Sequence, residues 1–424
     1  MPWWANYIVS KVYSMPRLIE FSGLRYNPSQ VSLNEVIAPP YDVVNEQARA
    51  QLIAKSPYNS IRVELPEPEP QMSDDRYEVA KQLLASWLDQ GILKRDLNRC
   101  LYGYSMTFMD ESGNERSTTG VFGGLELAGA DEGQIMPHEE TMPKPKGDRL
   151  FLLSSTRANL SPIWGLSLGS GLSQACEYQP GIDGDKVSAR DEDGTTHAIW
   201  PISDPSRIES IKEIIASKPV VIADGHHRFE TALAFNNQDQ SDGQVSGGSG
   251  AVFAFVVELV PDQLLVRPIH RIVSGLDPDI DALEYFGGSF AIEPCDLEPA
   301  KLTPQYLEKH KAIALVTKQG CWLMRDPMMA SSGRIGGDVL MELDSVRLRS
   351  ALEKFGDFEI AYEAKWDLAL DSLDRDLANF VVMIRPVTVD QIGRAAQAGL
   401  RMPPKTTYFH PKPRTGMVFR PIDD

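Results

Sequence analysis

The chain has 424 residues, 42% hydrophobic and 24% charged, which is enough apolar content for more than one buried core and too much for a disordered polymer. Lys and Arg number 42 against 59 Asp and Glu, a formal charge of −17 that repels nucleic acid and anionic lipid unless basic residues gather in one place. Cys100, Cys176, Cys295 and Cys321 are too scattered for a zinc knuckle or a redox pair, and no apolar run reaches the roughly 20 residues that span a bilayer, so a soluble, cytoplasmic protein is expected.

Residues 1–14 read as an upstream extension, with Met15-Pro-Arg-Leu-Ile-Glu the more natural opening. A first α/β region is expected over 15–130. It holds a helical stretch from Asn45 to Ser56, a Pro-rich linker at 65–70, and an amphipathic helix from Asp74 to Gln90. In that helix Tyr77, Leu83, Leu84, Trp87 and Leu88 recur at helical spacing, and Gly91 supplies the stop. Strands at Cys100–Phe108 and Thr118–Leu127 flank a turn-forming run that begins at Asp110. The central region, 131–275, is expected to hold the chemistry. Within it Asn236–Gly250 is too polar and Gly-rich to fold alone and reads as a surface loop or a lid. A strand over Ala251–Val260 and a hairpin-like return over Gln263–Val273 close the region. From 276 to 424, strands (Ala312–Thr317, Cys321–Met324, Asn379–Ile384) alternate with helical stretches (Asp344–Phe355, Val389–Ala398), which argues a mixed α/β fold. Residues 401–424 carry five Lys or Arg against two Asp, and both a solubilising tail and a basic clamp around Lys405, Tyr408 and Lys412 are open.

The sharpest motif is Val220-Val-Ile-Ala-Asp-Gly-His-His-Arg228. An apolar strand, a Gly turn and a helix aim free backbone N–H groups and the positive end of the helix dipole at one point, which suits a phosphate. His226, His227 and Arg228 in the first turn disfavour the helix on their own and make sense if an anion offsets them. Asp224 is placed to bind magnesium or orient a nucleophile. A second motif, Pro137-His-Glu-Glu-Thr-Met-Pro-Lys-Pro-Lys-Gly-Asp-Arg149, mixes acids and bases on a Pro-stiffened loop. Glu139 or Glu140 is the candidate general base for an alcohol, and Lys144, Lys146 or Arg149 could hold an anionic substrate group. In Ala38-Pro-Pro-Tyr-Asp-Val-Val44 the double Pro forces extended backbone before Tyr41 and Asp42, as a structural turn or a site would need. A catalytic metal site is the rival, since His138, Glu139, Asp224, His226 and His227 are ligand types, but no HExxH spacing is present.

These motifs, with Thr156-Arg-Ala-Asn-Leu-Ser-Pro162 and Thr407-Tyr-Phe-His-Pro-Lys412, resemble the hallmarks of the uncharacterised domain-of-unknown-function family 1015. More distantly, Pro-His-Glu-Glu followed by Ser161-Pro-Ile and the Asp-Gly-His-His-Arg turn is similar to the core of the ParB/sulfiredoxin superfamily, nearest to its free serine kinases. The resemblance implies a ParB/sulfiredoxin-like core flanked by the two other α/β regions, with residues 164–217 inserted. It implies Glu139 as base with Glu140 as substitute, Gly225, His226, His227 and Arg228 on nucleotide phosphates, and Asp224 on magnesium or the hydroxyl. Tyr41, Asp42, His138, Lys146, Asp148, Arg149, Arg157 and Lys412 are the expected substrate-binding residues. The expectation is a small-molecule kinase that uses ATP or ADP with Mg2+ on the hydroxyl of a metabolite such as serine, with no nucleic-acid or membrane partner. A metal-dependent phosphatase or hydrolase and a non-catalytic nucleotide-binding regulator are the alternatives.

Overall fold

A computed structural model describes residues 15–127, 134–137, 139, 147–241, 248–277, 280–326 and 339–423. The fold is mixed α/β, and the chain divides into two compact units. Of the described residues, unit 1 takes those up to Pro137, from Gly147 to Leu264, and from Pro411 onward. Unit 2 takes Glu139 and the described residues from Leu265 to His410.

The strands of unit 1 before residue 264 are β1 (Leu18–Ile19), β2 (Leu24–Tyr26), β3 (Leu93–Arg95), β4 (Leu101–Met109), β5 (Glu115–Glu126), β6 (Ile135–Pro137), β7 (Ala158–Asn159), β8 (Ile163–Ser167), β9 (Val187–Arg190), β10 (Thr196–Ile202), β11 (Val220–Asp224) and β12 (Ala251–Glu258). Among the described residues nine of them form one sheet, ordered β6-β11-β8-β12-β5-β4-β10-β9 with β1 paired to β5. The β4–β5 hairpin forms where the sequence puts it, because the Asp110 side chain takes the backbone N–H groups of Ser112 and Asn114 and so closes the turn. Its helices are α1 (Leu33–Val36), α2 (Glu46–Lys55), α3 (Ile61–Glu64), α4 (Arg76–Asp89), α5 (Gly147–Thr156), α6 (Leu172–Ala175), α7 (Pro205–Ala216) and α8 (His226–Ser241). Asn45 caps α2 and Asp75 caps α4 through their side chains, and Gly91 follows α4 at φ +72°. One face of the sheet buries Ile163, Val220, Ile222 and Val256 against Ile211 and Ile215 of α7 and Phe229 of α8. Alternate residues point the other way, where Phe122, Phe253, Phe255, Tyr104 and Trp164 pack ring to ring.

Unit 2 holds β13 (Leu265–Arg267), β14 (His270–Ser274), β15 (Ala291–Pro294), β16 (Ile313–Thr317), β17 (Gly320–Arg325), β18 (Glu359–Glu363), β19 (Phe380–Met383) and β20 (Tyr408–His410). Six of these form a sheet ordered β15-β17-β16-β19-β14-β18, and β13 pairs with β20. Each face of that sheet buries its own apolar cluster, one around Phe286, Phe355 and Phe380, the other around Leu307, Leu323 and Val381.

Several expectations need correction. Among the described residues the first two regions are not separate units, because β5 pairs with β12 over Gly120–Glu126. The stretch 164–217 is no appendage: it supplies β8, β9, β10 and α7 to the sheet and its core. Residues 263–273 do not return as a hairpin on β12, since Pro268 interrupts the ladder, β13 pairs with β20 and β14 pairs with β18 and β19. The expected loop from Asn236 is helical as far as Ser241, and 242–247 lie outside the described residues. Nor do residues 411–423 form a solvated tail. Thr415, Met417, Val418, Phe419 and Arg420 are buried, and β21 (Arg420–Pro421) pairs with β7.

Candidate functional site

The strand-to-helix turn after β11 gathers charged side chains in unit 1. β11 is continuously apolar and buried until Asp224, where its register with β8 slips between Ile222 and Asp224. Such a bulge re-aims a side chain at a strand end. Gly225 then takes φ +88°, and a Cβ there would meet the Arg228 guanidinium and the backbone of Ile163 at 3.1 Å. Only glycine fits both constraints. His226, His227 and Arg228 open α8, whose first turn leaves backbone N–H groups without helical partners.

Around this turn the chain gathers charges from distant segments. Arg228 donates to the Asp224 carboxylate at 2.6 Å and to the carbonyl of Pro162. Lys412, from the segment after unit 2, donates to the other Asp224 oxygen at 2.5 Å and to Asp42 at 3.4 Å. Burial alone would raise the Asp224 carboxyl, but Lys412 and Arg228 outweigh it and hold that carboxyl well below the usual carboxylate range. Burial alone would likewise lower the Lys412 ammonium, and Asp224 and Asp42 lift it above its ordinary value instead. Tyr41 lies between two guanidiniums, with Arg149 4.4 Å and Arg228 6.0 Å from its ring centre. Arg149 is anchored by Asp148 at 2.6 Å and by the backbone carbonyl of Glu64 at 2.8 Å, and Asp148 is held in turn by Arg76 and Tyr77.

Of the expected site residues, the structure therefore brings Tyr41, Asp42, Asp148, Arg149, Asp224, Gly225, His226, His227, Arg228 and Lys412 together in unit 1. Arg157 is elsewhere. It binds Asp239 at 3.1 Å and Asp423 at 2.5 Å, near the far end of α8 and about 20 Å along the helix from its first turn. Glu139 belongs to unit 2, where its two oxygens accept from the backbone N–H groups of Lys405, Thr406 and Thr407 and from the Thr407 hydroxyl, at 2.7–3.2 Å. That carboxylate anchors the 405–407 segment. His138, Glu140, Lys144 and Lys146 lie outside the described residues.

Sequence reasoning missed Glu64, which ends α3 and is 3% exposed. No clear signal in the sequence marked it, since Arg62 and Glu67 lie close by and only the fold shows that Glu64 is buried beside the fully buried Ile61 and Val63. Burial pushes the Glu64 carboxyl up, and the nearby Arg149 and Arg228 only partly offset this. As for a metal, Asp42 and Asp224 reach one and the same ammonium, so two carboxylates converge as a hard divalent cation would need. Among the described residues no three His, Cys, Asp or Glu side chains are gathered into a metal cluster. Nor is any described helix long and apolar enough to cross a membrane.

The sequence profile of a family described as "Protein of unknown function (DUF1015)" matches residues 18–346. The chain belongs to that family. No curated protein matches the sequence of this DUF1015 member. Among solved structures it is similar to a mutant free serine kinase in complex with AMP, with TM-score 0.37 and 15% identity over 68% of this chain and 86% of that one. Another such mutant, in complex with ADP, gives TM-score 0.36 and 15% identity with the same coverage. A conserved hypothetical protein from Pyrococcus furiosus gives TM-score 0.35 and 14% identity over 68% of this chain and 89% of that one.

Proposed function

We propose that this DUF1015 protein is a nucleotide-dependent phosphotransferase whose phosphate site is the turn from Asp224 to Arg228, acting on the hydroxyl of a small metabolite, with free serine the first acceptor to test. One observation carries the reading. A left-handed Gly turn between a buried strand and a helix N-terminus carries Arg228 and Lys412, both immobilised on Asp224, and Arg149, held by Asp148, packs with Arg228 against the same Tyr41 ring. Backbone N–H groups and the helix dipole attract an anion, while the fixed guanidiniums and ammonium neutralise charge without reorganising when it arrives. Magnesium, carried in with ATP or ADP and held by Asp224 and Asp42, would supply further neutralisation of phosphate charge. Lys412, held by Asp224 and Asp42, would remain a fixed positive charge beside the phosphate oxygens. Arg228 keeps the fork geometry that suits them. The work of the protein is then positioning and charge neutralisation, as phosphoryl transfer requires.

Thermal unfolding with ATP, ADP, CTP or pyrophosphate, each with and without magnesium, tests this. A nucleotide at a hundred times its dissociation constant should add about 2.7 kcal/mol, a shift of a few degrees. Arg228→Lys, which keeps the charge and loses the fork, and Lys412→Met should each weaken nucleotide binding at least tenfold. Absence of any shift in the wild-type protein would overturn the reading.

A further inference from the structure

We infer that Glu64 receives the proton of the acceptor hydroxyl, in a small cavity that opens beside the phosphate turn. This deepens the proposed function and rests on it. The cavity measures about 50 Å³ and is lined by Glu64, Arg149, Ser161, Arg228, Asn159 and Thr231 together with apolar side chains of α5 and β12. Its space suits a few waters or a hydroxymethyl group, since about 10–15 Å³ of such volume holds one water. Glu64 is 3% exposed, and its Oε2 has no hydrogen-bond partner. A buried carboxylate oxygen left unpaired is costly unless something arrives to meet it. Its other surroundings are fixed. Arg149 approaches Oε1 at 3.7 Å, Arg228 and Asp42 act on the carboxylate from further away, and the nearby Ser161 hydroxyl pairs with that of Thr415 at 2.6 Å and favours the charged carboxylate.

The cavity and the phosphate turn share Arg228, which lines the one and is bound to Asp224 in the other. An acceptor whose CH2OH group enters the cavity therefore meets Glu64 at its hydroxyl proton while its oxygen faces the phosphoryl group. In the transfer, the acceptor oxygen bonds to the terminal phosphorus and the phosphorus–oxygen bond to the nucleotide breaks. The electron pair leaves with the nucleotide, and the hydroxyl proton passes to Oε2 of Glu64. Charge bookkeeping agrees with the assignment. Arg76, Arg149, Arg228 and Lys412 face Asp42, Glu64, Asp148 and Asp224, four against four, so a proton on Glu64 leaves the cluster one charge positive as the phosphoryl group crosses it. A buried acid with raised proton affinity is also a better base near neutral pH than a solvated one.

The test measures transfer from ATP and ADP, with magnesium, to L-serine, L-homoserine, glycerol and L-threonine, and hydrolysis to water when no acceptor is added. Glu64→Gln should lower transfer and hydrolysis by 10²–10⁴-fold while nucleotide affinity stays within threefold, and should abolish the rise of rate with pH that ionisation of Glu64 produces. Glu64→Asp should recover at least tenfold over Glu64→Gln, and the primary alcohols should outpace threonine. If Glu64→Gln binds nucleotide and keeps a tenth or more of the wild-type rate, or if Glu139→Gln alone removes the pH dependence, Glu64 is not the base and the phosphotransferase reading stands. If the wild-type protein binds no nucleotide and turns none over, that reading fails and Glu64 with it.

Discussion

His270 shows how a single buried side chain writes a pH dependence into unit 2. It is 1% exposed, edge-on to the Trp366 ring at 5.1 Å, and its Nδ1 has no partner. Burial, reinforced by the adjacent Arg271, pushes its pKa from 6.5 down to about 3. The unfolded chain therefore binds a proton that the folded chain refuses, and stability drops as pH falls through that interval, by up to ~1.4 kcal/mol per pH unit. The full contribution is present only above 6.5. Replacing His270 with Phe should flatten the slope of the urea midpoint against pH in this interval. An unchanged slope would show that the imidazole stays out of the titration. His197 in unit 1 leaves a residual slope of the same sign, because burial lowers its pKa and Asp191 only partly restores it. Its neighbours form a closed chain: the Tyr104 hydroxyl meets His197 Nδ1 at 2.6 Å, His197 Nε2 meets Asp191 at 2.9 Å, and Arg414 donates to the same carboxylate.

At the scale of the element, the β11–turn–α8 unit places one glycine under two independent demands, a positive φ and a close approach by Ile163 and Arg228. Gly225→Ala should therefore cost roughly 1–2 kcal/mol from the left-handed backbone alone, plus the displacement of Arg228. The checks are a melting temperature lowered by several degrees and a nucleotide dissociation constant raised at least tenfold. Wild-type affinity in this variant would mean that Arg228 and the turn geometry do not matter to the phosphate. This element was legible in the sequence because its signals are local: a continuous apolar run, Asp-Gly, then helical spacing from Phe229 to Leu233. The same holds for α4 with its Asp75 cap, and for the β4–β5 hairpin with its Asp110 turn. Glu64 was not legible, because what distinguishes it is lost solvent and two arginines that arrive from positions 149 and 228. Lys412 could be suspected as a basic residue, but its place between Asp42 and Asp224 follows only from long-range packing.

At the scale of the molecule, the segment 411–423 completes unit 1. Leu24 pairs with Phe419, Ala38 with Thr415, and Arg420 donates to Asn159 and to the carbonyls of Gly248 and Ala251. Periodicity could not reveal this, since the segment is irregular, rich in Pro and Arg, and paired with residues more than 150 positions away. Its five-to-two excess of cations over 401–424 looked like a property of surface. Instead, Lys412 and Arg414 are absorbed by carboxylates and Arg420 by backbone carbonyls. A chain ending at His410 should lose the cooperative unfolding of unit 1 and its response to nucleotide, and a synthetic 411–423 peptide added in excess should restore both in part. Retention of full nucleotide binding without the segment would refute the role given to Lys412.

The placement of that segment also orders events in time. Residues 265–410 are translated between the bulk of unit 1 and the strand that closes it, a delay on the order of 10 s at common elongation rates. Throughout that interval the nascent unit 1 lacks the ammonium that faces Asp224, so the phosphate turn stays unassembled on the ribosome. On the proposed function, a nascent chain that stops before residue 412 would lack the cation held by Asp224 and Asp42 and would bind nucleotide weakly if at all.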